Sequence, residues 1–197
     1  MRPVRLAEHN THISGRRDDL KGKLETILGT KGRLVWEVGS GHGHFLTAYS
    51  KAHPDLTCIG VDVMSDRVVR AHRKRERAKL EHLHFIRADA EDFLAVMPEE
   101  ARFTSVFVLF PDPWPKRRHH KNRVMNARFL SAVAAKSSRE TRLYFRTDHE
   151  EYFLGASKIL KGHPDWEIHD ETLLPFEEPT VFEKRATRHF TLVASLR

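Results

Sequence analysis

Short apolar runs rich in β-branched and aromatic residues recur along the chain. They alternate with segments whose apolar positions fall at helical spacing. The short runs predict strands over 34–38, 57–63, 83–88, 105–110 and 142–147. The intervening periodicity predicts helices over 45–52, 66–80, from 91 onward, over 125–136 and over 150–160. Beyond that the pattern changes: 166–172 and 189–196 alternate apolar and polar positions like antiparallel strands joined by a proline-bearing loop. Alternation of β and α elements implies a doubly wound, mostly parallel α/β sheet with helices on both faces. Here it would have seven strands, with an antiparallel C-terminal hairpin at one edge. A chain of 197 residues is most simply one domain. Residues 1–30 are expected to be an N-terminal extension and 31–197 the core.

In sheets of this kind ligands bind beyond the carboxyl ends of the strands, near the point where strand order reverses. Glu37, Asp62, Asp89, Asp112 and Asp148 each fall at or just after such an end. Any one of them is more often a helix cap or a solvated turn residue. Asp148 in particular suits the N-cap of the helix starting near 150. Their repetition at strand ends is what points to a site. The first strand runs into Glu37-Val38-Gly39-Ser40-Gly41-His42-Gly43, where glycines permit positive φ and close approach of a ligand to the backbone. A nicotinamide fingerprint needs a glycine where His44 stands. A P-loop needs a Lys-Ser or Lys-Thr that does not follow.

The fourth strand ends in FPDPWPKRRHHKNR, residues 110–123. Pro111 and Pro113 flank Asp112, so the backbone there can continue neither a helix nor a sheet ladder. One carboxylate and one indole, Trp114, are held on a stiff turn. Trp114 suits either stacking on a base or anchoring the turn by packing. Beside them Lys116, Arg117, Arg118, His119, His120, Lys121 and Arg123 form a cationic arm suited to a polyanion. A second basic cluster lies on the second predicted helical segment, 66–80. There Arg70, Arg73, Lys74 and Arg77 share one helical face, either as a solvated surface or as a phosphate contact. Lys184, Arg185 and Arg188 suit an extension of the basic surface.

Composition agrees with a globular, basic protein: 40% of residues are hydrophobic and the net charge is +7. The single cysteine, Cys58, lies in an apolar run and is expected in the core, which favours a reducing, cytoplasmic setting. No apolar stretch approaches the roughly 20 residues needed to cross a bilayer. The N-terminus has no apolar signal region. The 14 histidines show no HExxH or Cys/His pattern, so no metal is expected; His42 and His44 beside the glycine turn read as packing or site-edge residues.

The spacing E-x-G-x-G-x-G over 37–43 resembles the first motif of class I S-adenosylmethionine methyltransferases. With FPDPWPKRRHHKNR as its most specific part, and EVGSGHG, GVDV, RADA, TDHEEY and TVFEK in support, the chain resembles bacterial tRNA (guanine-N7-)-methyltransferases from about the first strand to near the C-terminus. The resemblance implies a Rossmann-like fold and methyl transfer from S-adenosylmethionine to N7 of a variable-loop guanine in tRNA. It implies cofactor contacts from Glu37, Gly39, Gly41, Gly43, Asp62, Asp89 and Asp112. Glu37 would meet the amino end of the methionine moiety, Asp62 the ribose diol and Asp89 the adenine amino group. Asp112 would be catalytic. Lys116, Asp148, Thr180, Val181, Phe182 and Glu183 would touch substrate. Asp62 stands where many relatives carry Glu; either can accept from a diol. The expected partner is tRNA, with no membrane and no obligatory protein partner. The rival readings are a methyltransferase for another RNA, a dehydrogenase and a non-enzymatic RNA-binding module.

Overall fold

The computed structural model describes residues 3–29, 33–170, 174–176 and 188–197, with side chains from residue 15 onward. A long helix, α1 (Pro3–Leu28), comes first. Then follow β1 (Arg33–Val38), α2 (His44–Ala52), β2 (Thr57–Asp62), α3 (Ser65–Ala78), β3 (Leu83–Arg87) and α4 (Ala90–Val96). The second half has β4 (Arg102–Leu109), a 3-10 helix (Arg117–Asn122), α5 (Ala127–Ala134), β5 (Arg142–Thr147), α6 (Glu150–Gly162), β6 (Trp166–His169) and β7 (Phe190–Leu196).

These strands form one sheet of seven, in the order β3-β2-β1-β4-β5-β7-β6. Neighbours from β3 to β5 are parallel; β7 is antiparallel to both β5 and β6. The C-terminal pair is the antiparallel hairpin expected at one edge. Its second strand, however, lies inside, against β5, and leaves β6 outermost. The chain builds outward from β1 through β2 to β3, then returns to start β4 on the other side of β1. Strand order therefore reverses between β1 and β4, and the ligand crevice of such a sheet opens there.

Period-2 alternation sorts the strand side chains onto two faces. Leu34, Trp36 and Val38 of β1 and Val106 and Val108 of β4 pack with α1, α4, α5 and α6 in one apolar layer. Val35 and Phe107 face the other way, with Phe45, Leu46 and Tyr49 of α2 and Val68 and Ala71 of α3. Trp36 anchors the first layer, stacked on Phe93 at 4.8 Å and Phe103 at 5.3 Å between ring centroids. Truncating such a buried indole costs roughly 3–5 kcal/mol.

Two elements depart from the pattern-based expectation. The N-terminal extension carries α1, whose Leu20, Leu24 and Leu28 recur at i, i+4, i+8 and are buried in the first layer. The fourth strand begins at Arg102 rather than 105. Its register against β1 slips between Leu34 and Val35, so that Thr104 is the extra residue and its hydroxyl donates to the Leu34 carbonyl at 3.0 Å. This bulge breaks the apolar alternation that marks a strand in sequence.

Candidate active site

At the β1/β4 reversal a cavity of about 410 Å³ opens. Glu37, Gly39, Gly41, Asp62, Asp89, Asp112 and Asp148 all line it. Of the remaining expected site residues, Gly43 lies behind the wall and Lys116 is exposed outside it. Thr180, Val181, Phe182 and Glu183 lie outside the described residues, as do Lys184 and Arg185.

The glycine turn is built for its place. Gly39, Gly41 and Gly43 have φ of 70°, 53° and 67°, a region that side chains rarely adopt. At Gly43 a Cβ would also collide with the Phe85 ring at 2.5 Å and with Ala71 at 2.9 Å, so this glycine seats α2 against β3 and α3. At Gly41 the added atom would meet nothing closer than 4.0 Å, so the requirement there is conformational. Asp62 holds the turn: its Oδ2 accepts from the Gly41 N–H at 2.9 Å and its Oδ1 from the Met64 N–H at 2.8 Å. Arg67, one of the basic residues that crowd the 66–80 segment, stands 3.7 Å from the same carboxylate, a pairing the sequence did not announce.

Glu37 is 5% exposed, and its Oε2 has no hydrogen-bond partner. Burial, with a smaller push from the Asp62 charge, raises its carboxyl to about 8 against the opposing hydrogen bond from the Leu46 backbone. A buried carboxyl with one unpartnered oxygen, on a residue that lines a cavity, is suited to a cation. Asp89 is the N-cap of α4, accepting from the Glu91 N–H at 2.8 Å, and lines the cavity as well. The capping role and a place on the cavity wall coexist at this residue.

The opposite wall comes from the proline turn. Phe110 has φ of 48° and donates its N–H to the Arg146 carbonyl at 2.8 Å, which carries the β4/β5 ladder one bond further before the chain breaks away. Trp114 is a second non-glycine residue at positive φ, 44°. Conformations of this kind cost about 1–3 kcal/mol each and persist only where the surroundings enforce them. They bracket Asp112 and set it on the cavity wall. Trp114 is 36% exposed and edge-on to His119 at 5.7 Å, so it packs on the turn and lines the cavity at once.

Two readings of this region need correction. Arg123 does not belong to the exposed cationic arm. It is 7% exposed, donates from Nε to the Pro113 carbonyl at 2.8 Å, lies over the Tyr152 ring at 4.8 Å and pairs with Glu151 at 3.7 Å. The periodicity of a turn and 3-10 helix brings the last base of the run back under the first prolines. Nor is Asp148 the cap of α6. His149 takes that place, its Nδ1 accepting from the Tyr152 N–H at 3.3 Å, and Asp148 is left exposed on the cavity wall with no hydrogen bond among the described residues. Lys116, Arg117, Arg118 and Lys121 are exposed on and before the 3-10 helix. Asn122, at its end, lines the cavity and is marked by nothing in the sequence beyond its place in the basic run.

No group of three or more His, Cys, Asp or Glu side chains able to hold a metal occurs among the described residues. No described helix is long and apolar enough to cross a membrane.

The family model described as "Putative methyltransferase" matches residues 31–193. A tRNA (guanine-N(7)-)-methyltransferase of Lachnoclostridium phytofermentans is 30% identical over 83% of this chain and 75% of its own. One from Listeria innocua is 30% identical over 69% of this chain; that match spans 63% of the relative's own length. Among solved structures, an antibiotic-related methyltransferase superposes with a TM-score of 0.61 over 90% of this chain and 93% of its own, at 22% identity, which speaks to the fold. With the seven-stranded sheet, the glycine turn and these matches together, the chain belongs to the tRNA (guanine-N7-)-methyltransferase family.

Proposed function

We propose that the protein transfers a methyl group from S-adenosylmethionine to N7 of the variable-loop guanine, position 46, of tRNA. The observation that carries this reading is the convergence of five strand-end acids on one cavity at the β1/β4 reversal, next to an exposed basic 3-10 helix.

The residues present fit the cofactor. The orphaned, buried Glu37 carboxyl suits its ammonium group. Asp62, at the end of β2, suits the ribose diol with the lone pairs left by Gly41 and Met64. Asp89 suits the exocyclic amine of adenine. Gly39 and Gly41 let the backbone come close. When bound, S-adenosylmethionine supplies a methyl carbon already activated by its positive sulfur.

The chain's own task is then alignment. Guanine N7 carries an exposed lone pair and no proton, so no side chain has to remove one before attack. Holding two reactants in line is worth several kcal/mol by itself. Asp112, fixed between two prolines, can accept from guanine N1–H and the 2-amino group, turn N7 inward and oppose the positive charge that grows on the purine. Asp148 and the half-exposed Trp114 border the same cavity and suit a polar and a stacking contact to the base. Lys116, Arg117, Arg118 and Lys121 suit the phosphates that flank it.

The test is to incubate the protein with labelled S-adenosylmethionine and tRNA transcripts and to map the product. The reading expects N7-methylguanine in the variable loop, abolished when that guanine is replaced. Label in ribosomal RNA but not in tRNA would assign the chain to another RNA.

A further inference from the structure

A second concavity lies between α2 and α3, behind the glycine turn. It measures about 590 Å³ and is lined by His44, Thr47, Ala48, Lys51, Lys74 and Arg77, with Ala78 at its end. No acid lines it. Lys51, Arg70, Arg73, Lys74 and Arg77 form no ion pair among the described residues, although Asp66 and Glu76 lie on the same helix. Burial and the neighbouring charges of Arg77 and Arg70 push the Lys74 ammonium below its usual range. Cations held this closely with no acid among them give the groove a local positive field that favours an anion from outside the chain.

Thr47 lines the groove but its hydroxyl is buried, so the exposed Lys51 and Arg77 are the groups that a ligand there would meet. The groove is also joined to the active-site cavity. His44 lines both, and Lys74 Nζ donates to the carbonyl of His42, a cavity-lining residue, at 2.7 Å.

We propose that the α2/α3 groove binds a backbone phosphate of the substrate RNA, with Lys51 and Arg77 as its charged contacts. This rests on the reading of the protein as an RNA methyltransferase. It adds a grip on the opposite side of the glycine turn from the 3-10 helix, so that the RNA is held on both flanks of the reaction centre. Lys74 supports the groove from beneath through the His42 carbonyl.

The experiment compares tRNA affinity across a range of salt for the wild type, K51Q/R77Q and the control K158Q/K161Q. The control removes two exposed cations from α6, which packs on the other face of the sheet. Lys74 stays, because its Nζ holds the glycine turn. S-adenosylmethionine affinity by calorimetry, expected within about twofold of wild type, shows that the variants fold. K51Q/R77Q is expected to bind tRNA about tenfold more weakly near physiological salt and to flatten the log K against log salt slope by about one to two. The control is expected to stay near wild type. If the wild type binds and methylates tRNA but K51Q/R77Q keeps its affinity and slope, or if the control loses as much, the groove is not a phosphate site. A wild type that binds no tRNA at all overturns the functional reading and this proposal with it.

Discussion

Arg123 Nε donates to the carbonyl of Pro113 at 2.8 Å, across ten residues of chain, and so closes the proline turn that carries Asp112. The guanidinium is covered by the Tyr152 ring and paired with Glu151, which fixes the turn to the first helical turn of α6. An arginine at the end of a run that reads as a polyanion grip is thus a structural clamp. Its Nε donor and flat cationic face combine a directed hydrogen bond with cover by an aromatic ring, which a lysine could not reproduce.

The first prediction follows from that clamp. Arg123→Met removes a charge-assisted hydrogen bond and a cation–π contact, together worth on the order of 2–4 kcal/mol at a buried site. Thermal unfolding should move down by several degrees. Single-turnover methylation should fall by more than tenfold while S-adenosylmethionine affinity stays within about twofold, because the glycine turn is untouched. Arg123→Lys should recover part of the stability and little of the rate. A methylation rate unchanged in a folded Arg123→Met protein would show that the turn holds its shape without the clamp.

The second concerns Glu37. Its folded-state value near 8 lies above the 4.5 of an unburied carboxyl, so the folded chain holds a proton that the unfolded chain has lost. Between those two values stability therefore falls as pH rises, by an amount on the order of a few kcal/mol in total. Glu37→Gln mimics the neutral acid. It should match the wild type in unfolding temperature near pH 5 and exceed it near pH 9. Binding of a cationic amine should reverse the preference and drive the proton off. Calorimetry at pH 7 in buffers of different ionisation enthalpy should then show proton release on S-adenosylmethionine binding, lost in Glu37→Gln. A wild type that releases no proton would remove Glu37 from the ammonium site.

The third separates two roles of Asp62. The carboxylate holds the Gly41 and Met64 amides and lines the cavity. Asp62→Asn keeps one acceptor and should weaken S-adenosylmethionine binding by about tenfold. Asp62→Ala, which frees both amides, should cost more and lower the unfolding temperature too. Affinity for tRNA should change little in either. Unaltered cofactor affinity in a folded Asp62→Ala protein would leave the residue only its structural task.

Much of this was legible from pattern alone, for reasons that the structure makes plain. The strands that build the crevice are apolar on both faces because helices cover both, so they read as short continuous runs. Acids at strand ends stood out because each follows such a run. What stayed hidden depended on contacts between distant residues. The clamp at Arg123 needs α6 beside the proline turn. The bulge at Thr104 needs its partner Leu34. The cap of α6 fell to His149 because the chain entered the helix one residue later than an aspartate cap at 148 requires. The wall position of Asn122 and the ion pair of Arg67 with Asp62 are likewise tertiary facts with no local signature.

A fourth prediction tests the arm that remains exposed. Replacing Arg117, Arg118 and Lys121 together by Gln should weaken tRNA binding and reduce its salt slope by about two to three, leaving cofactor affinity unchanged. These residues make no ion pair among the described residues, so folding should not suffer. A slope equal to the wild type's would make the 3-10 helix a solvated surface.

The last prediction concerns what Asp112 does. If N7 needs no base, the residue acts by orientation and charge, and its replacements should grade by what they retain. Asp112→Asn keeps the shape and one acceptor but loses the charge; Asp112→Ala loses both. In single-turnover methylation at saturating tRNA and cofactor, the Asn variant should be slower than wild type by about tenfold and the Ala variant by about a hundredfold or more. Overall tRNA affinity should move little, because many phosphate contacts sustain it. The two mechanisms part over pH. A proton-abstracting aspartate would give a rate that climbs with pH as the base ionises, and that climb would vanish in Asp112→Asn. An orienting aspartate gives wild type and Asp112→Asn rates that run parallel across the same range, offset by a constant factor. A rising limb present in the wild type and absent from the Asn variant would return Asp112 to the role of general base.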